Sequence, residues 1–405
     1  MTGHTEEGGH EGLSIALGVT GGIAAYKTVE LVRLLTQRGI TVYPIMTEWA
    51  ARFVGPLTFE TLTGQPVRIA TPSAVETGNI EHISLIRSVD LLLIAPLTAN
   101  TMAKMAHGQA DNFLTTTYLA HRGKTVGCPA MNTGMLEHPA TRRNMNQLRQ
   151  DGVHLVLGDS GDLACGEVGA GRMAEPSVIL DHLDWVLSPR LPRFEGKRVL
   201  VTAGPTREDL DPVRFLTNRS SGKMGIAIAR AFRDAGAQVT LIHGPIQVPL
   251  PAMVEGFGVR SAAEMANAVL SRQMEQDVIV MAAAVADYRP RPSVHKLKKE
   301  SFDGRLHLER TTDILATLGS RKPDHQILVG FAAETGSVLE HAARKIARKN
   351  LDFIFANDVS AEGLGFAGDR NRLIALNRGG VQHDLGTRDK ERLGHDLVRY
   401  LASQL

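Results

Sequence analysis

The amino-acid sequence predicts an α/β protein made of two doubly wound units, each a parallel sheet wrapped by helices on both faces. Three observations carry this. Short apolar runs alternate with amphipathic helical stretches along the chain. The runs are continuously apolar, as in strands covered on both sides. The alternation breaks once, at LSPRLPRFEGK (187–197), where two prolines and several charges intervene, and then restarts.

Residues 1–12, MTGHTEEGGHEG, hold no apolar pattern and read as a disordered start. The first unit, 13–189, takes its strands from SIALGV (14–19), TVYPIM (41–46), VDLLLIAP (89–96), TVGCPAM (125–131) and VHLVL (153–157). Residues 190–197 read as a linker. The second unit, 198–405, uses RVLVTAG (198–204), QVTLIHG (238–244), DVIVMAAA (277–284), QILVGFAA (326–333) and DFIFAND (352–358). In its tail, NRLIALNRGGVQHDL has two strand-like runs about a Gly-Gly turn, which predicts a hairpin at the sheet edge before a last helix. Ligands in such sheets bind beyond the carboxyl ends of the strands, so the loops after each run are where chemistry is sought.

A chain of 405 residues is long enough for two or three domains with cores of their own. Its two cysteines, Cys128 and Cys165, cannot make a disulfide framework. No apolar run approaches the ~20 residues of a membrane span, and the opening lacks the basic and apolar parts of a secretory signal. The expectation is a cytoplasmic protein with reduced thiols and no membrane contact. A net charge of +2 leaves no excess to attract nucleic acid, so small anionic ligands held by local clusters fit better.

In the first unit, the strand at 14–19 runs into TGGIAAYKTVELVRLL. There Gly21 and Gly22 let the backbone approach a ligand, and a helix start offers free amides to an anion. A plain tight turn explains the same glycines, and neither the dinucleotide fingerprint nor a P-loop spacing is present. APLTANT sets Thr98, Asn100 and Thr101 at another helix start, to cap it or to bind a ligand. PAMNTGM adds Asn132 in a strand-end loop, and NIEHISL puts His82 before a strand. ACGEVGAGRM (164–173) places Cys165 among three glycines, where a packed core is hard to build, so its thiol is a candidate for chemistry. Cys128, at the end of an apolar strand, reads as core.

Together GGIAAYKT, HISL, APLTANT, PAMNTGM and ACGEVGAGRM, in that order, resemble the flavin-dependent cysteine decarboxylases, in particular those acting on phosphopantothenoylcysteine. The resemblance implies a flavodoxin-like fold holding FMN on Gly21, Gly22, Thr47, Thr98, Asn100 and Thr101, in flavin sites shared between the subunits of a trimer. It also implies that Cys165 rides a flap closing over substrate, that Asn132 binds the substrate carboxylate with Met131 in the same contact set, and that His82 acts near the flavin as base or orienting group. Direct loss of CO2 from a cysteine amide leaves the electrons no sink, whereas a thiol first oxidised by the flavin towards a thioaldehyde has a C=S to accept them. The ene-thiolate left behind needs a proton and hydride return. A cysteine with a pKa of ~8.5 is still mostly protonated at neutral pH and able to donate.

The second unit opens with VTAGPTREDLDPVRFLTNRSSGKMGIAIARAF, a strand, a long polar loop and a helix beginning near Ser221. Met224 stands where a P-loop has Ser or Thr, so that reading fails; an anion cradle of free amides beside Lys223 remains. AAAVADYRPRP leads to Asp287, HKLKK gathers Lys296, Lys298 and Lys299, and HAARKIARKN sets Arg344, Lys345, Arg348 and Lys349 on one helix face. Each cluster fits a solvated surface; two in one neutral domain suit a triphosphate.

TAGPTRE, LDPVRFLTNRSSGKMG, AAAVADYR, KLKK, GFAAET and ANDV resemble the phosphopantothenate–cysteine ligases, and RTTDIL departs from the Asn-Pro-Asp of many relatives. The order, decarboxylase half then ligase half, is similar to that of the fused bacterial enzymes of coenzyme A synthesis. The resemblance implies a Rossmann-like ligase domain with a small β-hairpin extension. In it CTP activates the carboxylate of 4'-phosphopantothenate as an acyl-cytidylate, with magnesium carried mainly by the CTP phosphates and no protein metal ligand assigned. The amine of cysteine then attacks, releasing CMP and forming 4'-phosphopantothenoylcysteine, which the first half converts to 4'-phosphopantetheine. By matching motif, Asn218 contacts the acyl intermediate, Asp287 and Phe331 the cytidine, Lys296 the reacting phosphate, and Lys345 and Lys349 the triphosphate tail, with Ala283 in the same set. Ligase halves pair as dimers, so trimers joined through dimers imply a homododecamer.

Two other readings stand beside this one. A flavin-binding regulatory scaffold without decarboxylase activity gives no reason to keep His82, Asn132 and Cys165 together. A nicotinamide dehydrogenase on two Rossmann-like domains lacks the glycine fingerprint.

Overall fold

The computed structural model describes residues 12–69, 81–162, 168–298, 304–334, 338–358 and 368–405. The start expected to be disordered falls, but for Gly12, outside these residues. The chain divides after Val186 into two compact units.

The first unit runs β1 (Ser14–Val19), α1 (Ala25–Gln37), β2 (Thr41–Met46), α2 (Ala50–Phe53), α3 (Pro56–Thr63), α4 (Glu81–Arg87), β3 (Leu91–Leu97), α5 (Ala99–Ala106) and α6 (Phe113–Ala120). It continues with β4 (Lys124–Pro129), α7 (Thr133–Glu137), α8 (Pro139–Gln150), β5 (Val153–Leu155), β6 (Gly161–Asp162), β7 (Val168–Gly169) and α9 (Pro176–Leu187). Its main sheet is wholly parallel in the order β2-β1-β3-β4-β5, the flavodoxin-like arrangement expected. Every residue of the central β3 is buried, which is why its sequence is continuously apolar. α1 forms because Ala25, Thr28, Leu31, Val32 and Leu35 recur at helical spacing and turn one face to the sheet. It ends where Gly39 takes a φ of 75° and the Ile40 amide donates to the Leu35 carbonyl at 3.2 Å, a Schellman closure.

The second unit runs β8 (Arg198–Ala203), β9 (Arg207–Asp209), β10 (Phe215–Thr217), α10 (Lys223–Asp234), β11 (Gln238–His243), β12 (Glu255–Gly258), α11 (Ala262–Leu270), β13 (Val278–Met281), β14 (Tyr288–Pro290) and β15 (Leu308–Arg310). It closes with α12 (Ile314–Arg321), β16 (Ile327–Glu334), α13 (Val338–Lys349), β17 (Phe353–Asp358), β18 (Arg370–Asn377), β19 (Gln382–Asp389) and α14 (Lys390–Gln404). Eight strands form one sheet, β12-β11-β8-β13-β16-β17-β18-β19, parallel as far as β17. β18 and β19 then add as the antiparallel hairpin read from the sequence, turning at Gly379-Gly380 with the last helix behind them. One apolar layer gathers Phe232, Phe355 and Leu397, the other Leu200, Ile279 and Ile354, so both faces of the sheet are covered. α14 comes close to α10 because Gly394 has no side chain: a Cβ there would lie 2.6 Å from the Ala227 carbonyl oxygen.

Residues 190–197 pack on this unit, with Phe194 buried in its core and the Leu191 amide donating to Ala235. β13 stops at Met281, three residues short of the apolar run, because Ala282, Ala283 and Ala284 leave the sheet to line a cavity. The long polar loop after β8 contains the two-stranded β9–β10, and β14 pairs with β15; three-residue strands leave no alternation to read. Among the described residues no helix is long and apolar enough to cross a membrane.

Candidate active sites

In the first unit a cavity of about 1060 Å³ opens at the carboxyl ends of β1, β2, β3 and β4. It gathers all six residues expected to hold a flavin, Gly21, Gly22, Thr47, Thr98, Asn100 and Thr101, together with Met131 and Asn132. Thr20 fixes the frame: its hydroxyl donates to the Pro96 carbonyl at 2.7 Å and accepts from the Thr98 amide at 3.1 Å, tying the β1 loop to the β3 loop. A Cβ on Gly21 would sit 2.4 Å from the Cβ of Trp49, so the β2 loop closes on a bare backbone. α1 begins at Ala24 with no capping side chain; the amides of Ala25, Tyr26 and Lys27 donate to the carbonyls of Gly22, Ile23 and Ala24, and the cavity faces the positive end of the helix. Thr98 occupies the N-cap position of α5 without capping it; its hydroxyl instead meets that of Thr101 at 3.3 Å. The sequence left capping or ligand binding open for these residues, and the side chain of Thr98 does not cap.

Asn132 caps α7, accepting from the Gly134 amide at 2.8 Å. Its loop is locked to the strand end beyond β7: Met131 donates to Gly171, Thr133 to Ala170, and a Cβ on Gly171, whose φ is 127°, would fall 2.2 Å from the Met131 carbonyl oxygen. The base of the 164–173 segment is thereby fixed beside Asn132. Cys165 lies outside the described residues. His82 lies on α4, and its side chain is also outside what is described. Cys128 is fully buried, and desolvation pushes its thiol far above the ordinary range, as a core cysteine requires.

Sequence reasoning missed the charged lining of this cavity. Lys104 and Asp111 pair at 2.5 Å, and that bond to Lys104, against the opposing effect of burial, holds the Asp111 carboxyl below its usual range. Lys27 and Arg172 share Glu175, at 2.6 and 3.6 Å. Arg172 was in view, inside GAGRM; Lys27 and Lys104 sit on helices with nothing local to mark them.

In the second unit a cavity of about 350 Å³ brings together Asn218, Ala283, Asp287 and Phe331 with the start of α10. The loop after β13 is pinned by hydroxyls, Thr202 accepting from the Ala283 amide and Thr206 from the Ala286 amide. Asn218 donates from Nδ2 to the Ala284 carbonyl at 2.9 Å. Gly222, at φ 81°, begins α10, and Gly225 lets the helix press on β8, since a Cβ there would lie 2.5 Å from that of Ala203. Phe331 stacks on Phe355 at 5.6 Å.

Three expected lysines stand outside this lining. Lys296 is exposed, on a segment held to the β9–β10 loop by Asp211, which accepts from the Leu297 amide and from Arg214. Lys349 pairs with Asp313 at 2.9 Å, and Lys345 lies one turn earlier on α13. The lining holds instead Lys223, Asn357, Asn371 and Lys390. Of these, Asn357 was visible as the polar end of an apolar strand and Lys223 as a helix-start lysine; Asn371 and Lys390 had no local signal. Among the described residues no three His, Cys, Asp or Glu side chains cluster to hold a metal ion.

Two family models divide the chain: "Flavoprotein" matches residues 4–188 and "DNA/pantothenate metabolism flavoprotein C-terminal domain" residues 194–405. The Coenzyme A biosynthesis bifunctional protein CoaBC of Bacillus subtilis (strain 168) is 44% identical over 393 residues, 96% of this chain and 97% of that protein. This chain belongs to the CoaBC family. The Vibrio cholerae member (serotype O1, strain ATCC 39315 / El Tor Inaba N16961) is 42% identical, covering 97% of this chain and 99% of its own. A solved structure of the C-terminal domain of a CoaBC is 41% identical, covering 52% of this chain and 97% of that one, with a TM-score of 0.45. As a CoaBC the protein is a bifunctional enzyme of coenzyme A synthesis, a ligase and a flavin-dependent decarboxylase.

Proposed function

We propose that residues 13–189 carry the decarboxylase step and residues 198–405 the ligase step, with CTP as the activating nucleotide. The observation that carries the first assignment is the convergence of Gly21, Gly22, Thr47, Thr98, Asn100, Thr101, Met131 and Asn132 on one cavity. Its volume is at the upper end of the ~300–1,000 Å³ of ligand clefts, room for a cofactor and a substrate together. FMN fits it chemically: the phosphate meets the positive end of α1, which has no capping side chain, beside Gly21 and Gly22, whose bare backbones let the neighbouring loops close in. Thr47, Thr98, Asn100 and Thr101 supply hydroxyl and amide partners. When bound, the flavin supplies the oxidising equivalents that turn the substrate thiol into an electron sink. Asn132 orients the substrate carboxylate, Met131 packs beside it, His82 acts as base or orienting group, and Cys165 returns a proton to the decarboxylated product.

In the ligase half, Asn218 and the Ala283 loop hold the acyl group at the carboxyl ends of the strands, Phe331 and Asp287 the cytidine, and Lys296 the reacting phosphate from its exposed segment. Lys345 and Lys349, the latter paired with Asp313, reach the triphosphate tail. Magnesium travels on the nucleotide phosphates. The assembly proposed is a cytoplasmic homododecamer, trimers of the decarboxylase half joined through dimers of the ligase half.

Incubation of the full chain with 4'-phosphopantothenate, cysteine, CTP and magnesium, followed by product mass, tests the whole reading. The expected product is 4'-phosphopantetheine with release of CMP and CO2. A colourless protein that cannot be reconstituted with FMN and is indifferent to CTP overturns it.

A further inference from the structure

Three glycines, Gly158, Gly161 and Gly171, make room for one arginine in the lining of the first unit's cavity. The main chain of Arg172 is held from both sides. A Cβ on Gly158 would lie 2.3 Å from the Arg172 carbonyl oxygen, and Gly171, just before it, presses on the Met131 carbonyl. Met173, just after it, pairs with Leu157 in an antiparallel bridge. The side chain lies across Gly161, where a Cβ would meet Nη1 at 2.8 Å and Cδ at 3.4 Å. A long cation seated this closely has already given up much of the rotamer freedom that a ligand would otherwise have to remove.

Seated so, the guanidinium has little to hold. Among the described residues its N–H groups make no hydrogen bond, and its charge partner is Glu175, 3.6 Å from Nη2. The same Glu175 oxygen is taken by Lys27 at 2.6 Å, so two cations share one acid and a positive charge is left over. The Arg172 side chain is 40% exposed, within reach of a guest. A guanidinium stays charged throughout the physiological range, and its planar fork of N–H donors matches a phosphate or carboxylate at two points. On the decarboxylase reading three anionic groups enter this cavity. The flavin phosphate meets the positive end of α1 beside Gly21 and Gly22, and the substrate carboxylate meets Asn132. The 4'-phosphate of the substrate, nearly doubly charged at neutral pH, is the group still without a partner.

We propose that Arg172 binds the 4'-phosphate of 4'-phosphopantothenoylcysteine and makes the decarboxylase half select the phosphorylated substrate over its unphosphorylated counterpart. The inference rests on the decarboxylase reading of the first unit. The phosphate is remote from the bond that breaks and takes no part in the chemistry. Its contact with Arg172 fixes one end of a flexible arm, so that the cysteine at the other end is presented to the flavin and Asn132 more often. Arg172 is in this sense a specificity residue, and Gly161 serves it by leaving the guanidinium its place.

The test uses the full flavin-loaded chain and compares CO2 release from 4'-phosphopantothenoylcysteine and from pantothenoylcysteine, the same molecule without the phosphate. The ratio of the two kcat/KM values measures the phosphate contact. Arg172→Gln is expected to lower that ratio at least about tenfold, the size of a lost charge-assisted contact. Gly161→Ala keeps the arginine but pushes its guanidinium aside, and is expected to lower the ratio in the same direction. Flavin content, read from the absorbance of the same preparations, stays at the wild-type level in both. An unchanged ratio in flavin-loaded Arg172→Gln protein overturns the proposal. So does an equal loss on both substrates, which puts the arginine on the carboxylate they share, or a loss of flavin, which puts it on the cofactor's phosphate. A wild-type protein that treats the two substrates alike overturns it before any variant is made. One that releases CO2 from neither shows instead that the decarboxylase reading has failed.

Discussion

Asn218 Nδ2 donates to the carbonyl oxygen of Ala284 at 2.9 Å, joining two loops separated by 66 residues of sequence into one wall of the ligase cavity. Asn218→Asp removes the donor and turns a carboxylate towards a carbonyl. The expected loss is ~1–3 kcal/mol, about five- to 150-fold in ligase rate, with the bound flavin unaffected. Ligation rate and flavin absorbance of the same preparation check it; an unchanged ligation rate removes the assigned role.

Gly21→Ala forces a methyl to within 2.4 Å of the Trp49 Cβ. The β2 loop must retreat at an overpacking cost of ~1–3 kcal/mol, so flavin is expected to be retained at well under wild-type stoichiometry. The flavin-to-protein ratio after gel filtration reads this directly. Full occupancy would show that the turn has slack.

Gly394→Ala sets two effects against each other. Alanine favours a helix by ~1 kcal/mol over glycine, but the new Cβ meets the Ala227 carbonyl oxygen at 2.6 Å, and main chain cannot step aside as a side-chain tip does. Crowding wins, and the second unit is expected to melt several degrees lower. A raised melting temperature would mean α14 shifts freely on α10.

Asp211 ties the Lys296 segment to the β9–β10 loop. Burial pushes its carboxyl up, but Arg214 and the amides of Val213, Arg214 and Leu297 together hold it well below the usual carboxylate range. A carboxyl depressed on folding stabilises above its unfolded pKa, ~3.9, and loses that contribution only as pH falls through the lower folded value. No change from this clamp is therefore expected between pH 5 and 8. Asp211→Asn, by contrast, should open the segment at neutral pH, read as faster proteolysis near residues 293–298. Equal cleavage of variant and wild type would count against the clamp.

Cys165→Ser is expected to release CO2 at a measurable rate yet stall at the unsaturated ene-thiol, with little aminothiol product. Trapped CO2 and product mass decide it. Unimpaired formation of the saturated product would remove the proton-donor role.

What the sequence could tell depended on whether a residue's role was local. β1 and β2 were legible residue by residue, because strands covered on both faces are continuously apolar. β13 was overread by the same logic: Ala282, Ala283 and Ala284 are as apolar as strand residues, yet they line a cavity. β9, β10, β14 and β15 were missed, being three residues each and too short for a period. That the residues expected to hold a flavin would line one cavity was legible because they stand in motifs directly after strands. The deep end of the second unit's cavity was not, since Asn371 and Lys390 come from the hairpin and the last helix and meet β17 only through the fold.

The sealed position of Cys128 has a practical sequel. The chain has two cysteines, and one of them is fully buried, with its thiol pushed up by desolvation. Maleimide or iodoacetamide taken up by the native enzyme is therefore attachment at Cys165, at one label per chain, and a dye there reports on the decarboxylase half without a cysteine having to be removed first.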